Sequence, residues 1–142
     1  MKRLLLIVLF NLVSVLPLLA QVATIPQAGT IVGSIELNSA DLPVGFYQDL
    51  YVVPSGVQFK ITDILISNSG PGYACARIKV GILGARRTNK LVVAPGMVFE
   101  HGFLNGIDFT SGQVVTVFNG CNGLAWSGML SVAIRGYVLT VP

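Results

Sequence analysis

The alternation of apolar and polar residues is clearest between Tyr51 and Ser67, where two β-rich runs flank a Pro-Ser-Gly turn at positions 54–56. Proline presets φ for the first corner of a turn, and glycine adopts a positive φ without steric cost. After the turn, Val57, Phe59 and Ile61 alternate with polar residues, as in a strand with one buried face. This segment therefore predicts a β-hairpin.

The apolar phase reverses within the second strand of this hairpin. Ile64 and Ile66 are at even-numbered positions, which earlier in the same run are polar, as at Lys60. Because successive side chains of a strand point to opposite faces, such a reversal requires an extra residue or burial of both faces. We therefore expect a β-bulge near Asp63 or a strand that is buried on both sides.

Similar runs recur along the chain at roughly the 8–12-residue spacing of turn signals that is typical of β-sandwiches, and no segment has the apolar spacing of an amphipathic helix. The predicted strands cover residues 30–37, 46–53, 57–67, 74–82, 90–93, 97–103, 113–119 and 128–141. Between the sixth and seventh strands we expect a loop that carries Ile107 and Phe109. The pattern predicts an all-β fold, a single-domain antiparallel β-sandwich over residues 30–142, jelly-roll-like, with about eight strands.

The N-terminus has the pattern of a secretory signal peptide over residues 1–20. A basic head, Met1-Lys2-Arg3, precedes a mostly apolar run that ends at Ala20. An uncleaved membrane anchor is the alternative, but the run is shorter than the ~20 residues of a spanning helix and contains Pro17. We expect cleavage, an extended arm over residues 21–29, no membrane span after cleavage, and a secreted or periplasmic protein.

Charged residues are few, and the balance of positive and negative charge argues against nucleic acid as a partner. The chain has nine Lys and Arg residues against six Asp and Glu, but Lys2 and Arg3 belong to the signal segment. The remainder is almost neutral, so we expect no nucleic-acid binding through a broad basic field. Only 11% of residues are charged, which fits either a compact sheet protein or a subunit whose faces are buried against neighbours.

Two cysteines, Cys75 and Cys121, lie in the exported part. An oxidising compartment favours one intramolecular disulfide, which would contribute about 3–4 kcal/mol by restricting the unfolded chain. Two free thiols or an intermolecular bridge are the alternatives. Strand phase places Cys75 opposite Ala76, so we expect its side chain to point outward and the disulfide to attach this strand to a surface loop.

No catalytic or metal constellation stands out. His101 is the only histidine, and its neighbour Glu100 points to the opposite face of a strand, so the two cannot cooperate there. A zinc or iron site needs three or four ligands, and no closely spaced ligand pair is present. A Ser-His-Asp triad stays open because it depends on spatial arrangement. We expect a structural histidine, no metal, no cofactor and no enzymatic activity.

One cluster of positive charge offers a candidate binding site. Arg86, Arg87 and Lys90 form a basic tip, and strand phase adds outward-facing Arg77 and Lys79. Such a cluster could hold an acidic polysaccharide or an anionic surface. The alternative is a solvated hairpin end without a ligand.

Three aromatic residues, Trp126, Tyr73 and Tyr137, could form a platform on which sugars stack. The alternative for Trp126 is a core position at one end of the sandwich beside the disulfide, because buried aromatic area contributes strongly to core stability.

We therefore expect a secreted or periplasmic, non-enzymatic β-sandwich that acts by binding or self-assembly, as an extracellular structural or interaction subunit. The arm and first strand have the alternation with which a strand can complete a neighbour's sheet. The alternative function is a carbohydrate- or cell-surface-binding module that uses Trp126 and the Arg86/Arg87 tip. Partners would be further copies of the chain or an extracellular glycan or protein.

Overall fold

The computed structural model describes residues 29–120 and 127–141. The strands are β1 (Ile31–Asn38), β2 (Tyr47–Val52), β3 (Val57–Asn68), β4 (Ala74–Val80), β5 (Leu91–Val93), β6 (Val98–Phe109), β7 (Val114–Asn119) and β8 (Leu130–Thr140). Over these ranges the structure has no helix long and apolar enough to cross a membrane.

The strands form two four-stranded antiparallel sheets. Sheet A has the order β1-β8-β3-β6, and sheet B has the order β2-β7-β4-β5. The first strand pairs with the last, the second with the seventh, the third with the sixth and the fourth with the fifth. This nested pairing is the arrangement of a jelly roll. The all-β sandwich of eight strands predicted from the alternation is confirmed.

The core lies between the inner faces of the two sheets. Alternate positions along the central strands are fully buried there. The largest of these side chains are Phe59, Phe109, Ile61, Ile64, Ile66, Ile78, Leu130 and Ile134. Each such side chain contributes roughly 1.5–3 kcal/mol when it is removed from water, so the period-two pattern of the sequence accounts for the association of the sheets.

Of the two alternatives for the phase reversal in β3, the bulge near Asp63 is present. The register shifts between Ile61 and Asp63 in the pairing of β3 with β6 and also in its pairing with β8. On β6 the partners of these residues are Ile107 and Gly102, so the segment between them bulges out of the ladder. The shift lets residues on both phases of β3 face the same core, which explains the reversal in the sequence.

The end predicted for β6 is wrong. The strand continues through Ile107 to Phe109, which pairs with Phe59 and is fully buried. The dipeptide Asn105-Gly106 suggests a loop in the sequence, but Gly106 (φ 67°) lies within the bulge and the ladder resumes after it. The predicted loop residues Ile107 and Phe109 are therefore strand residues.

Cys75 and Arg77 alternate with the core residues Ala76 and Ile78, as strand phase predicts, but both are buried rather than exposed to solvent. Strand phase identifies the face on which a side chain stands, but not what packs over that face. Neighbouring segments also flank both edges of β4: Gly120 N donates to the Cys75 carbonyl at 2.9 Å, and Ile78 N donates to Thr88 Oγ1 at 3.0 Å. The first five residues of β4 are buried, so this part of the strand is covered on both faces.

Candidate functional site

A cleft of about 460 Å³ lies beside β4 and is lined by Arg77, Arg86, Arg87, Thr88, Asn89 and Lys90. The segment after β4 folds back along that strand. Arg87 N donates to the Ile78 carbonyl at 2.8 Å, and an isolated bridge joins Lys79 to Arg86. This return brings the predicted ligand residues Arg86, Arg87 and Lys90 to the side of Arg77.

Arg77 is the unusual member of the cleft. Only 7% of the residue is exposed, and its Nε has no hydrogen-bond partner among the described residues. Burial lowers the pKa of Arg77, and the positive charge of Arg86 lowers it further. A guanidinium nevertheless keeps its proton in proteins, so Arg77 keeps its positive charge while its buried Nε donor is unused.

Within residues 29–120 and 127–141, none of the Asp and Glu side chains forms an ion pair with Arg77. All six acidic residues lie in the described ranges. Two of them form the ion pairs found there, Lys60–Asp108 and Arg135–Glu36, each at 3.0 Å, and both pairs belong to sheet A. The four cationic side chains of the cleft therefore have no carboxylate partner among the described residues.

Lys79, which the sequence groups with this cluster, does not line the cleft. Its amine donates to the Ile82 carbonyl and lies 5.8 Å from the centroid of the Phe118 ring. In contrast, Arg77 does line the cleft, as its place in the predicted cluster implies, but its burial was not predicted. The available signal is a single arginine within the otherwise apolar start of β4, but its meeting with residues 86–90 depends on the path of the chain.

The predicted aromatic platform is not assembled by the described residues. The Tyr73 carbonyl accepts a hydrogen bond from Gly128 N at 3.1 Å, close to the start of β8. Tyr137 lies towards the other end of that strand, opposite Lys60. From Leu130 to Tyr137 the strand advances roughly 24 Å at 3.4 Å per residue. Trp126 and Cys121 lie outside the described residues, so the predictions that involve them stay predictions.

His101 packs between two phenylalanine rings on β6. The Phe99 ring is stacked on it at 6.0 Å between centroids, and the Phe103 ring meets it edge-on at 4.9 Å. Within residues 29–120 and 127–141 there is no group of three His, Cys, Asp or Glu side chains that could hold a metal ion. The absence of enzymatic activity stays a prediction.

The outer edges of sheet A form a second candidate surface. Among the described strands, β1 pairs only with β8, and β6 pairs only with β3. Neither edge strand contains lysine or proline, the residues that commonly protect an edge from pairing. Exposed apolar side chains lie on both, Ile31 and Val32 on β1 and Val98 and Leu104 on β6. The bulge in β6 limits its regular ladder with the second half of β3 to residues 98–102.

Comparison with known proteins gives a distant structural likeness. No family model and no curated protein matches the chain. One solved structure, described as "Bacillus endospore appendages form a novel family of disulfide-linked pili", aligns with a TM-score of 0.37 and 16% sequence identity. The alignment covers 82% of this chain and 94% of the other.

Proposed function

We propose that this chain is an exported, non-catalytic structural subunit that associates with further copies of itself through the two edges of sheet A. The observation that carries this proposal is the direction of the edge strands. Three antiparallel pairings separate β1 from β6, so the two strands run in opposite directions. A second copy in the same orientation therefore brings its β1 antiparallel to β6 of the first.

Such a contact repeats without closing. An edge of one kind meets an edge of the other kind, so each added copy presents the same unused edge again, and the product is an open assembly. The contact needs no rearrangement of the sandwich, because edge strands already point alternate N–H and C=O groups away from their sheet. With four strands per copy at about 4.8 Å, each subunit would advance the sheet by roughly 19 Å.

The two edges have segments of matching length. On β1, residues 33–38 pair with β8 in unbroken register, and on β6 residues 98–102 pair with β3 in the same way. Val98, which is more than half exposed, would be covered in such a contact. Sheet B is less suited to this contact, since its edge strand β5 has only three residues.

The remaining parts of the proposal have support from the sequence. Export is supported by the signal-like pattern of residues 1–20, which lie outside the described residues. A structural role is supported by the low content of charged residues, 11% of the chain, and by the lack of a recognisable catalytic pattern.

Two adjacent proline substitutions test the edge contact and serve as controls for each other. Neighbouring residues of a strand direct their N–H groups to opposite sides, so one of Ser34 and Ile35 donates towards β8 and the other away from the sheet. We expect one of Ser34→Pro and Ile35→Pro to lower thermal stability. The other should keep the stability of the parent and lose assembly in sedimentation velocity. If the variant of parental stability assembles as the parent does, the β1 edge is not the interface.

A further inference from the structure

We infer that the cleft beside β4 binds an oxyanion group such as sulfate or phosphate, with Arg77 at its base and Arg86, Arg87 and Lys90 around it. This site is separate from the edges of sheet A, and the inference does not rest on self-association. The ligand source can be the free inorganic ion or the same group carried on a larger molecule such as a sugar.

The first argument is the free-energy cost of burying the charged side chain of Arg77. A buried charge is costly unless it is paired and hydrogen-bonded, and arginine cannot relieve that cost by losing its proton. The Nε of Arg77 has no partner among the described residues, although it is buried. An oxyanion at this position would accept from the guanidinium and neutralise it, in the fork geometry that arginine offers to phosphate and carboxylate groups.

The second argument is the chemistry of the lining. Four of its six side chains are cationic, and no acidic residue lines the cleft. Thr88 Oγ1 accepts a hydrogen bond from Ile78 N, which leaves its own hydroxyl proton to donate. A surface composed so largely of donors and positive charge selects an anion over a neutral or cationic ligand.

The third argument is the shape of the cleft. Arg77 is buried, whereas Arg86, Arg87 and Lys90 are exposed, so a cationic rim surrounds a desolvated base. Charge of one sign at a concave surface raises the local concentration of an oppositely charged ligand. At about 460 Å³, the cleft has the size of small-molecule sites and has room for part of a carrier molecule beside the oxyanion.

The test measures thermal unfolding of the parent protein in sodium sulfate, sodium phosphate and glucose 6-sulfate, each against sodium chloride at equal ionic strength. At about ten times its dissociation constant, a ligand of the folded state should raise the Tm by roughly 5 °C. A larger shift with glucose 6-sulfate than with sulfate at equal concentration identifies a sugar-borne group as the better ligand, and equal shifts identify the free ion. The absence of any shift beyond that of sodium chloride overturns the inference.

Arg77→Met separates binding from a purely structural role. Methionine keeps the unbranched apolar stem of the side chain and removes the buried charge, so we expect the Tm without added anion to stay the same or rise and the anion-dependent shift to be lost. If Arg77→Met keeps the full shift, the inference is wrong. The inference also fails if this variant loses stability in sodium chloride while Arg86→Gln and Arg87→Gln keep the anion shift of the parent.

Two variants at exposed arginines complete the test. Arg86→Gln removes a rim charge without disturbing a buried group, and we expect it to reduce the anion-dependent shift by at least half. Arg135→Gln removes the same charge on sheet A, where Arg135 is paired with Glu36, and should keep the full shift. Equal losses in the two variants would indicate a general effect of net charge and overturn the site.

Discussion

The side-chain amide of Asn119 donates a hydrogen bond of 2.8 Å to the carbonyl of Leu42, 77 residues earlier in the chain. Asn119 is fully buried at the end of β7. Its Nδ2 also donates to the Gly128 carbonyl at 3.1 Å, and its Oδ1 accepts from Cys75 N at 3.1 Å. One side chain thus satisfies backbone groups from three other segments at one end of the sandwich.

Asn68, at the end of β3, also forms hydrogen bonds with backbone groups of neighbouring segments. Its Nδ2 donates to the carbonyls of Gly72 and Val93, and its Oδ1 accepts from Gly70 N. Asn68 is opposite Leu130, which also forms a bridge with Leu42. The two buried asparagines therefore hold the loops at the same end of the jelly roll.

We predict that Asn119→Leu lowers the free energy of unfolding by about 2–5 kcal/mol, because it leaves several buried backbone groups without partners. Urea unfolding followed by fluorescence measures the change. Asn105→Leu, at an exposed position on the β6 bulge, is the control and should change stability by less than about 0.5 kcal/mol. Equal effects in the two variants would contradict the role assigned to Asn119.

The absence of a side chain at Gly136 lets β3 pack closely against β8. An added Cβ would lie 2.3 Å from the Lys60 carbonyl oxygen and 2.8 Å from the Phe59 ring. We therefore predict that Gly136→Ala lowers the Tm by several degrees through overpacking. Gly33→Ala is the matched control on the neighbouring strand, where a Cβ meets no atom within 4 Å. A Tm of Gly136→Ala equal to that of the control would show that the strands are not so closely packed.

The ion pair on the outer face of sheet A predicts a pH dependence. The hydrogen bond from Arg135, with a smaller one from Asn38 and the charge of Arg135, lowers the pKa of Glu36. Because the pKa is lower in the folded state, the stabilisation is present above the unfolded value of about 4.3 and is lost as the pH falls through the folded value. The effect is small, since the pair is exposed.

We therefore expect Glu36→Gln to flatten the acid side of the stability curve slightly. Stability between neutral pH and pH 2 can be measured by urea unfolding at each pH. Arg135→Gln should give a similar flattening, because it removes the cause of the shift. An acid side that neither substitution alters would show that the pair does not contribute to the pH dependence.

The disulfide prediction leads to a chemical test. If Cys75 and Cys121 pair within one chain, the exported protein takes up no alkylating reagent until it is reduced. Reduction should then lower the free energy of unfolding by about 3–4 kcal/mol. A dimer that separates on reduction would instead indicate an intermolecular bridge.

Local patterns in the sequence were sufficient to predict that eight strands are present and where the phase of β3 reverses, but not where every strand ends. The alternation in β3 marks the buried face on each side of Asp63, and its reversal requires either an extra residue at that point or burial of both faces. The continuation of β6 was missed because Asn105-Gly106 has the same local sequence in a turn as in a bulge. Only the partner strand decides between the two, and pairing with a distant strand leaves no local signal.

The candidate site was predicted only in part, because some of its features depend on contacts between distant segments. Arg86, Arg87 and Lys90 are close in sequence, so their cluster is visible without a structure. Strand phase also adds Arg77 to this cluster, but its burial depends on which distant segments lie against β4, and strand phase does not reveal that. The directions of β1 and β6, from which the proposed assembly follows, likewise require the strand order.

The most direct test of the central claim is the mass of the exported, non-reduced protein in solution, measured by light scattering on a sizing column over a range of concentrations. If copies add through the edges of sheet A, the mass rises with concentration beyond a dimer, and microscopy shows open filaments. A single species with the mass of one chain at every concentration would contradict the account.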